Sequence, residues 1–426
     1  MTALRTSGAA SRPATVTRPL AQVPPVPVTQ LRTSLVASGP AQRYGESVSA
    51  VAGNTSVVAA TTWLPAETVV QTWKRQGAAV WGAPTPLLAP GFRRSYDPSA
   101  VALPDGTILA SAGTDLALRP YCLDGGSVVV RNLSAAGNSP PVLVDDQRGS
   151  TSFDDRPTLA AGAGTQVWAG WSHGTAVAAC DAVGRDDRIH IALSRDDGGH
   201  FGPSIALPTD GTGGDFGVEI AAIGPNHAFV AWSELAPSGT FRILLDDVQI
   251  GQPVPPPVVV ATGTALPQYL PGSSFLTITT PSLVLVDGRP WVAWAALADQ
   301  RSVVDIAVSP TAGNEWRRTV IASRLGEDLI LPALSVQPNG TVLELDAAHI
   351  RATDAVRFEV RSIGTNLTDG HLPVGPARSL NAPLEGPGYH ELGESLVLAT
   401  YQTTTATALV VGGEEGSRIM SVVWKP

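Results

Sequence analysis

The chain has 426 residues, 43% of them hydrophobic, 15% charged and 6% aromatic, with a formal net charge of -9. This excludes disorder throughout, and with lysine confined to Lys74 and Lys425 it excludes the clustered positive charge with which a general nucleic-acid binder neutralises phosphates. The 43 glycines and 36 prolines follow no three-residue period, so they exclude collagen and call for many turns and few long helices. Apolar runs such as Val258–Ala261 and Leu283–Val286 are strand-sized and fall far short of the ~20 residues of a membrane-spanning helix.

In chain order, residues 1–29 are rich in Ala, Thr, Pro and Arg and lack the apolar stretch of a secretory signal. They are expected to form a disordered leader, with Pro24-Pro25-Val26-Pro27 an extended spacer, before one folded domain over 30–426. Two alternatives stay open: an export signal removed ahead of Met1, or no export by that route. From about Gly45 a unit recurs: an apolar run, a two-residue turn, a second run, a longer loop and two further short runs. This is a four-stranded meander. Its clearest first hairpin is Ser99–Leu103, the turn Pro104-Asp105-Gly106, then Thr107–Ala110; Asp287-Gly288 and Asn339-Gly340 mark two more.

Pro98-Ser99-Ala100, Pro157-Thr158-Leu159, Pro281-Ser282-Leu283 and Pro332-Ala333-Leu334 open successive units, with Val218-Glu219-Ile220 filling the long gap. The repeat of roughly 50–62 residues predicts an all-β propeller of four-stranded antiparallel blades, seven of them, with six the alternative. Ser47–Val51 and Tyr389–Leu392 open the first and last blades, and Gln30–Ala37 is placed to close the ring on the last. Trp63, Trp171, Trp232 and Trp294 end second strands, where they either fill the space between blades or offer stacking platforms to sugars.

The most informative motif is Ser194-Arg195-Asp196-Asp197-Gly198-Gly199-His200-Phe201, between the third and fourth strands of the third unit. Ser194 and Asp196 can bond the turn backbone, Gly198 allows a left-handed residue, and Phe201 packs beneath. A degenerate copy runs from Ser309 to Trp316, with Thr311 in the Asp position. On these motifs residues Gly45 to Pro426 resemble the sialidase-like Asp-box (BNR-repeat) β-propeller superfamily. That resemblance implies a propeller that handles glycans, in a group holding exo-sialidases, other glycan-cleaving enzymes and proteins without known activity.

Carried over residue by residue, the family's R-I-P motif falls on Tyr96-Asp97-Pro98, so Tyr96 occupies the position of the arginine that clamps a substrate carboxylate. Arg93 and Arg94 lie just upstream, and Arg156 sits one residue out of register before Pro157. Glu219 resembles the family's glutamate that assists a tyrosine nucleophile, and Tyr389 resembles that tyrosine. For both, a structural role stays open: a paired carboxylate and a packing residue.

Positions just before the innermost strands converge on a funnel and include Tyr96, Asp97, Asp154, Asp155, Arg156, Asp215, Glu219, Tyr389, His390 and Glu391. Tyr389, Glu219 and Asp155 are the catalytic candidates, and Arg94, Tyr96, Asp97, Arg156, Asp215, His390 and Glu391 the substrate-binding ones. Two of the carboxylates can act as acid and base of a glycosidase, hold Ca2+, or only cap turns and pair with Arg94 and Arg156.

Cys122 and Cys180 lie in long second-to-third-strand loops of adjacent blades, so a disulfide beside the funnel is expected, and with it an oxidising compartment. Two unrelated thiols are the alternative. No H-E-x-x-H spacing occurs, and His173, His190, His200 and His227 read as surface or turn residues. No phosphate-binding, dinucleotide-binding or nucleophile-elbow motif is present. The expected protein is a secreted or cell-surface monomer from a high-GC bacterial genome, with a glycan as partner, no nucleic acid and no membrane span. Glycan hydrolysis of the sialidase kind stands against non-catalytic binding or adhesion, and a lyase or hydrolase of plant or microbial polysaccharide that uses paired carboxylates is a third reading.

Overall fold

The computed structural model describes residues 30–38, 43–63, 67–116, 125–134, 139–175, 185–209, 213–267, 279–311, 313, 315–353, 355–367, 371–380, 396–402, 404–411 and 418–425. They contain strands and no helix, in five four-stranded antiparallel sheets and one sheet of eight. The eight-stranded sheet is two meanders, from Gly214–Gly224 to Val258–Thr264 and from Ser282–Val286 to Arg317–Arg324, joined through the single pair Thr264↔Leu297. The innermost strands Arg43–Ala52, Arg94–Ala102, Ser152–Ala161, Gly214–Gly224, Ser282–Val286, Glu327–Val336 and Ala399–Tyr401 follow one another round a closed ring.

The ring closes through both ends of the chain. Gln30–Ser38 lies antiparallel to Arg418–Lys425, in register from Gln30↔Lys425 to Ser38↔Arg418, and forms the outermost strand of the last sheet. Each strand alternates its side chains between the faces of its sheet, and both faces pack on neighbouring sheets, so most core strands are apolar throughout. Ile108–Asp115 and Val342–Ile350 are buried along nearly their whole length. Trp171, Trp232 and Trp294 are fully buried between sheets. The sugar-platform alternative is corrected for these three, because each strand runs three or four residues past its tryptophan.

The turns follow the expected chemistry. Asp287 and Gly288 have φ of 51° and 72°, the two left-handed residues of a tight hairpin. In the Ser194 turn, the Ser194 hydroxyl accepts from the Gly198 N–H at 3.0 Å, Asp196 Oδ1 accepts from the His200 N–H at 2.9 Å, and Phe201 packs on the core beside Trp171. In its counterpart the Gly313 N–H donates to Ser309 Oγ at 2.5 Å.

Candidate functional site

One irregularity, repeated sheet after sheet, builds the site. The pairing of each inner strand with its neighbour slips between Gly45 and Val48, Tyr96 and Ser99, Asp155 and Thr158, Phe216 and Glu219, and Ile330 and Ala333. Each slip holds one left-handed residue: Glu46, Asp97, Arg156, Gly217 and Leu331, with φ between 49° and 63°. Such a conformation costs a non-glycine residue on the order of 1 kcal/mol or more, and a bulge redirects its side chain out of the strand's alternation. Pro98, Pro157 and Pro332 follow three of them, at a point where the ladder requires no N–H.

The bulges converge on a cavity of about 80 Å³ at the centre of the ring. Its polar lining is Glu46, Asp97, Arg156 and Glu219, with Ser99, Thr158, Thr280 and Ser282 between them. That volume is room for a few waters, against the ~300 Å³ or more of a pocket that encloses a small-molecule ligand.

The carboxyl groups in the cavity have unlike environments. Glu46 Oε2 accepts from the Thr61 hydroxyl at 2.6 Å and from the Asp97 N–H at 3.1 Å. Glu219 has no hydrogen-bond or ion-pair partner among the described residues. It is surrounded by protein yet faces the cavity, and burial pushes its carboxyl up to about 8. At neutral pH it is mostly the protonated acid. The Arg156 side chain lies with Nε 3.9 Å from Asp155 Oδ2 and its guanidinium 5.6 Å from the Phe216 ring centre, the cation of the lining. A neutral Glu219 and a neighbouring guanidinium make a poor cage for Ca2+, which asks for six to eight oxygen ligands.

Of the residues singled out in the sequence, Asp97, Arg156 and Glu219 come together here. The expectation that Tyr96 and Asp215 project into the funnel is corrected, and so is that of Arg94 as a substrate-binding residue. Arg94 forms a two-point ion pair with buried Asp115, Nε to Oδ1 at 2.9 Å and Nη2 to Oδ2 at 2.6 Å. Tyr96 packs its ring over Gly113, where an added Cβ would come within 2.7 Å, and its hydroxyl is buried. Asp215 is buried and accepts from Trp232 Nε1 at 3.2 Å. Asp155 accepts from the Arg156 N–H at 3.0 Å, and Asp154 lies 2.7 Å from His173 Nδ1. Tyr389, His390, Glu391, Cys122 and Cys180 lie outside the described residues. Glu46 went unread because Ser47 stands where three of the other bulges carry proline; Asp97 and Arg156 were legible because Pro98 and Pro157 follow them.

No known protein family matches the sequence, and no curated protein is similar to it. Among solved structures, the chain resembles a protein of unknown function from Dyadobacter fermentans (TM-score 0.51, 12% identity, 94% of this chain and 100% of that one). It also resembles the phage phi92 endosialidase (TM-score 0.51, 9% identity, 93% and 69%). The fold is a sialidase-like β-propeller. A polysaccharide lyase of family PL25, an ulvan lyase, shares the architecture over 78% of this chain and 80% of its own (TM-score 0.50, 10% identity). At such identities the likeness is one of fold alone.

Proposed function

We propose that this chain is an extracytoplasmic glycan-handling propeller that seats a sugar over the mouth of the central cavity and cleaves a glycosidic bond there, with Glu219 as proton donor. The observation that carries the reading is the pair of unlike carboxyls in one cavity: Glu219, raised to about 8 by burial, and Glu46, held by two hydrogen-bond donors. A protonated carboxyl protonates the leaving oxygen, and an ionised one activates water or stabilises the positive charge developing on the sugar. Arg156 supplies the cation for an acidic substituent of the glycan. That solved structures of this fold include an endosialidase and an ulvan lyase is consistent with a glycan substrate. Compartment rests on the Cys122–Cys180 bridge expected from the sequence, and the Asp-box kinship on the Ser194 and Ser309 turns.

A second reading, recognition without cleavage, is favoured by the arginines. Arg94 is committed to Asp115 and Tyr96 stands in the arginine position, so Arg156 is the one arginine lining the cavity among the described residues. The two readings separate on a panel of fluorogenic sialic-acid, uronic-acid and neutral glycosides. The proposal expects release by the wild type and a fall of at least 10²-fold in kcat for Glu219→Gln, in a variant that melts no lower than the wild type. Equal turnover by wild type and variant would remove Glu219 from the chemistry.

A further inference from the structure

Outside the central cavity, three side chains from two adjacent sheets meet on the rim where the inner strands begin. Asp145 ends Val142–Asp145, the outer strand of one sheet. His173 and His190 lie on Val167–Thr175 and Arg185–Ser194, neighbouring strands of the next. The imidazoles stack with centroids 4.4 Å apart and planes 23° apart. One ligand atom from each of the three residues lies within 4.8 Å of the others. This corrects the assignment of His173 and His190 to surface or turn positions, since both are half-buried within strands.

We propose that Asp145, His173 and His190 form a binding site for a divalent first-row transition ion of the zinc type. Two imidazole nitrogens and one carboxylate oxygen are the donor set such ions take, whereas Ca2+ and Mg2+ prefer oxygen alone. Tetrahedral zinc, with ligands at about 2.0–2.2 Å, wants its ligand atoms about 3.3 Å apart, so a movement of at most roughly 1.5 Å closes the set. Two further observations point to a cation. Asp154, paired across the ladder with His173, lies 2.7 Å from His173 Nδ1, and a carboxyl group against one ring nitrogen is the usual support of a metal-bound histidine. His190 Nδ1 is buried with no hydrogen-bond partner among the described residues, a state that costs ~1–3 kcal/mol. Three protein ligands leave a coordination position for water or for an anionic oxygen of a ligand. The inference stands on this cluster and does not depend on the glycan reading.

The test uses the full, untagged chain stripped with a chelator and titrated with Zn2+ alone by calorimetry, with Co2+ as a spectroscopic probe. Expected are one equivalent of Zn2+ per chain, visible d–d absorption of bound Co2+, and no competition from a large excess of Ca2+. His173→Ala and His190→Gln should each weaken Zn2+ binding by at least 10²-fold, and Asp154→Asn, which removes only the supporting contact, by ~10–100-fold. Circular dichroism and melting curves accompany each variant; should His173→Ala fail to fold, His190→Gln and Asp145→Asn read the same site. No stoichiometric uptake by the wild type, or uptake unchanged in folded His190→Gln and Asp145→Asn, would overturn the proposal.

Discussion

Glu219 is the residue on which chemistry and stability meet. Its carboxyl titrates near 4.5 in an unfolded chain and at about 8 in the folded one. Between those values the folded state holds a proton that the unfolded state has released, so stability falls as pH rises through that window and levels off above it. At roughly 1.4 kcal/mol per pH unit over that window, the loss is at most on the order of 5 kcal/mol. Replacing the residue with glutamine removes that slope. Melting temperatures of wild type and Glu219→Gln should therefore agree near pH 5 and separate by pH 8.5, with the variant the more stable. Parallel curves over the whole range would show that Glu219 is ionised in the fold. The sequence made the residue visible, since Val218-Glu219-Ile220 opens a repeat with an acid where other repeats carry Ser99, Thr158 and Ser282. It gave no sign that the acid would be unpartnered, because that depends on what the neighbouring sheets bring to the axis.

At the level of the element, the bulge in each inner strand turns a repeat into a site. Where four sheets place Glu46, Asp97, Arg156 and Leu331, the sheet carrying Glu219 places Gly217, with φ of 63°. A Cβ there would stand 2.3 Å from Thr280 Cγ2 of the following unit. Gly217→Ala should therefore destabilise the protein by about 2–3 kcal/mol through combined overpacking and backbone strain. Gly224→Ala, in the same strand with open space around it, should stay within ~0.5 kcal/mol of wild type. Urea unfolding of the pair reads the difference, and equal midpoints would contradict the close packing at this bulge. Hairpins were legible in the sequence because Asp105-Gly106 and Asp287-Gly288 impose their own geometry. The bulges were legible only where a proline marked them. The pairing of His173 with Asp154 and the stacking of His190 depend on strand register across a sheet, and two histidines 17 positions apart do not specify it.

For the whole molecule, the sequence repeat carried the architecture: four short strands per unit, similar spacing, and a first segment left over to complete the last sheet. Gln30–Ser38 does so against Arg418–Lys425. The strand also carries Ser34, whose hydroxyl accepts from Arg75 at 2.8 Å and Trp81 at 3.2 Å in the first complete sheet, so it ties two sheets together. Deleting residues 1–38 should lower the melting temperature by several degrees and expose a strand edge that promotes association. Scanning calorimetry with light scattering checks both, and a deletion that melts with the full chain and associates no more than it does would show that the closure contributes nothing. What the repeat does not encode is the ligand, because the fold positions a ring of side chains without fixing which chemistry they perform. The most direct measurement is a glycan-array screen of the wild type beside Arg156→Ala. The account predicts selective binding of acidic glycans by the wild type and its loss in a variant that folds normally; binding retained in Arg156→Ala, or no glycan bound by the wild type, would contradict a glycan site at the central cavity.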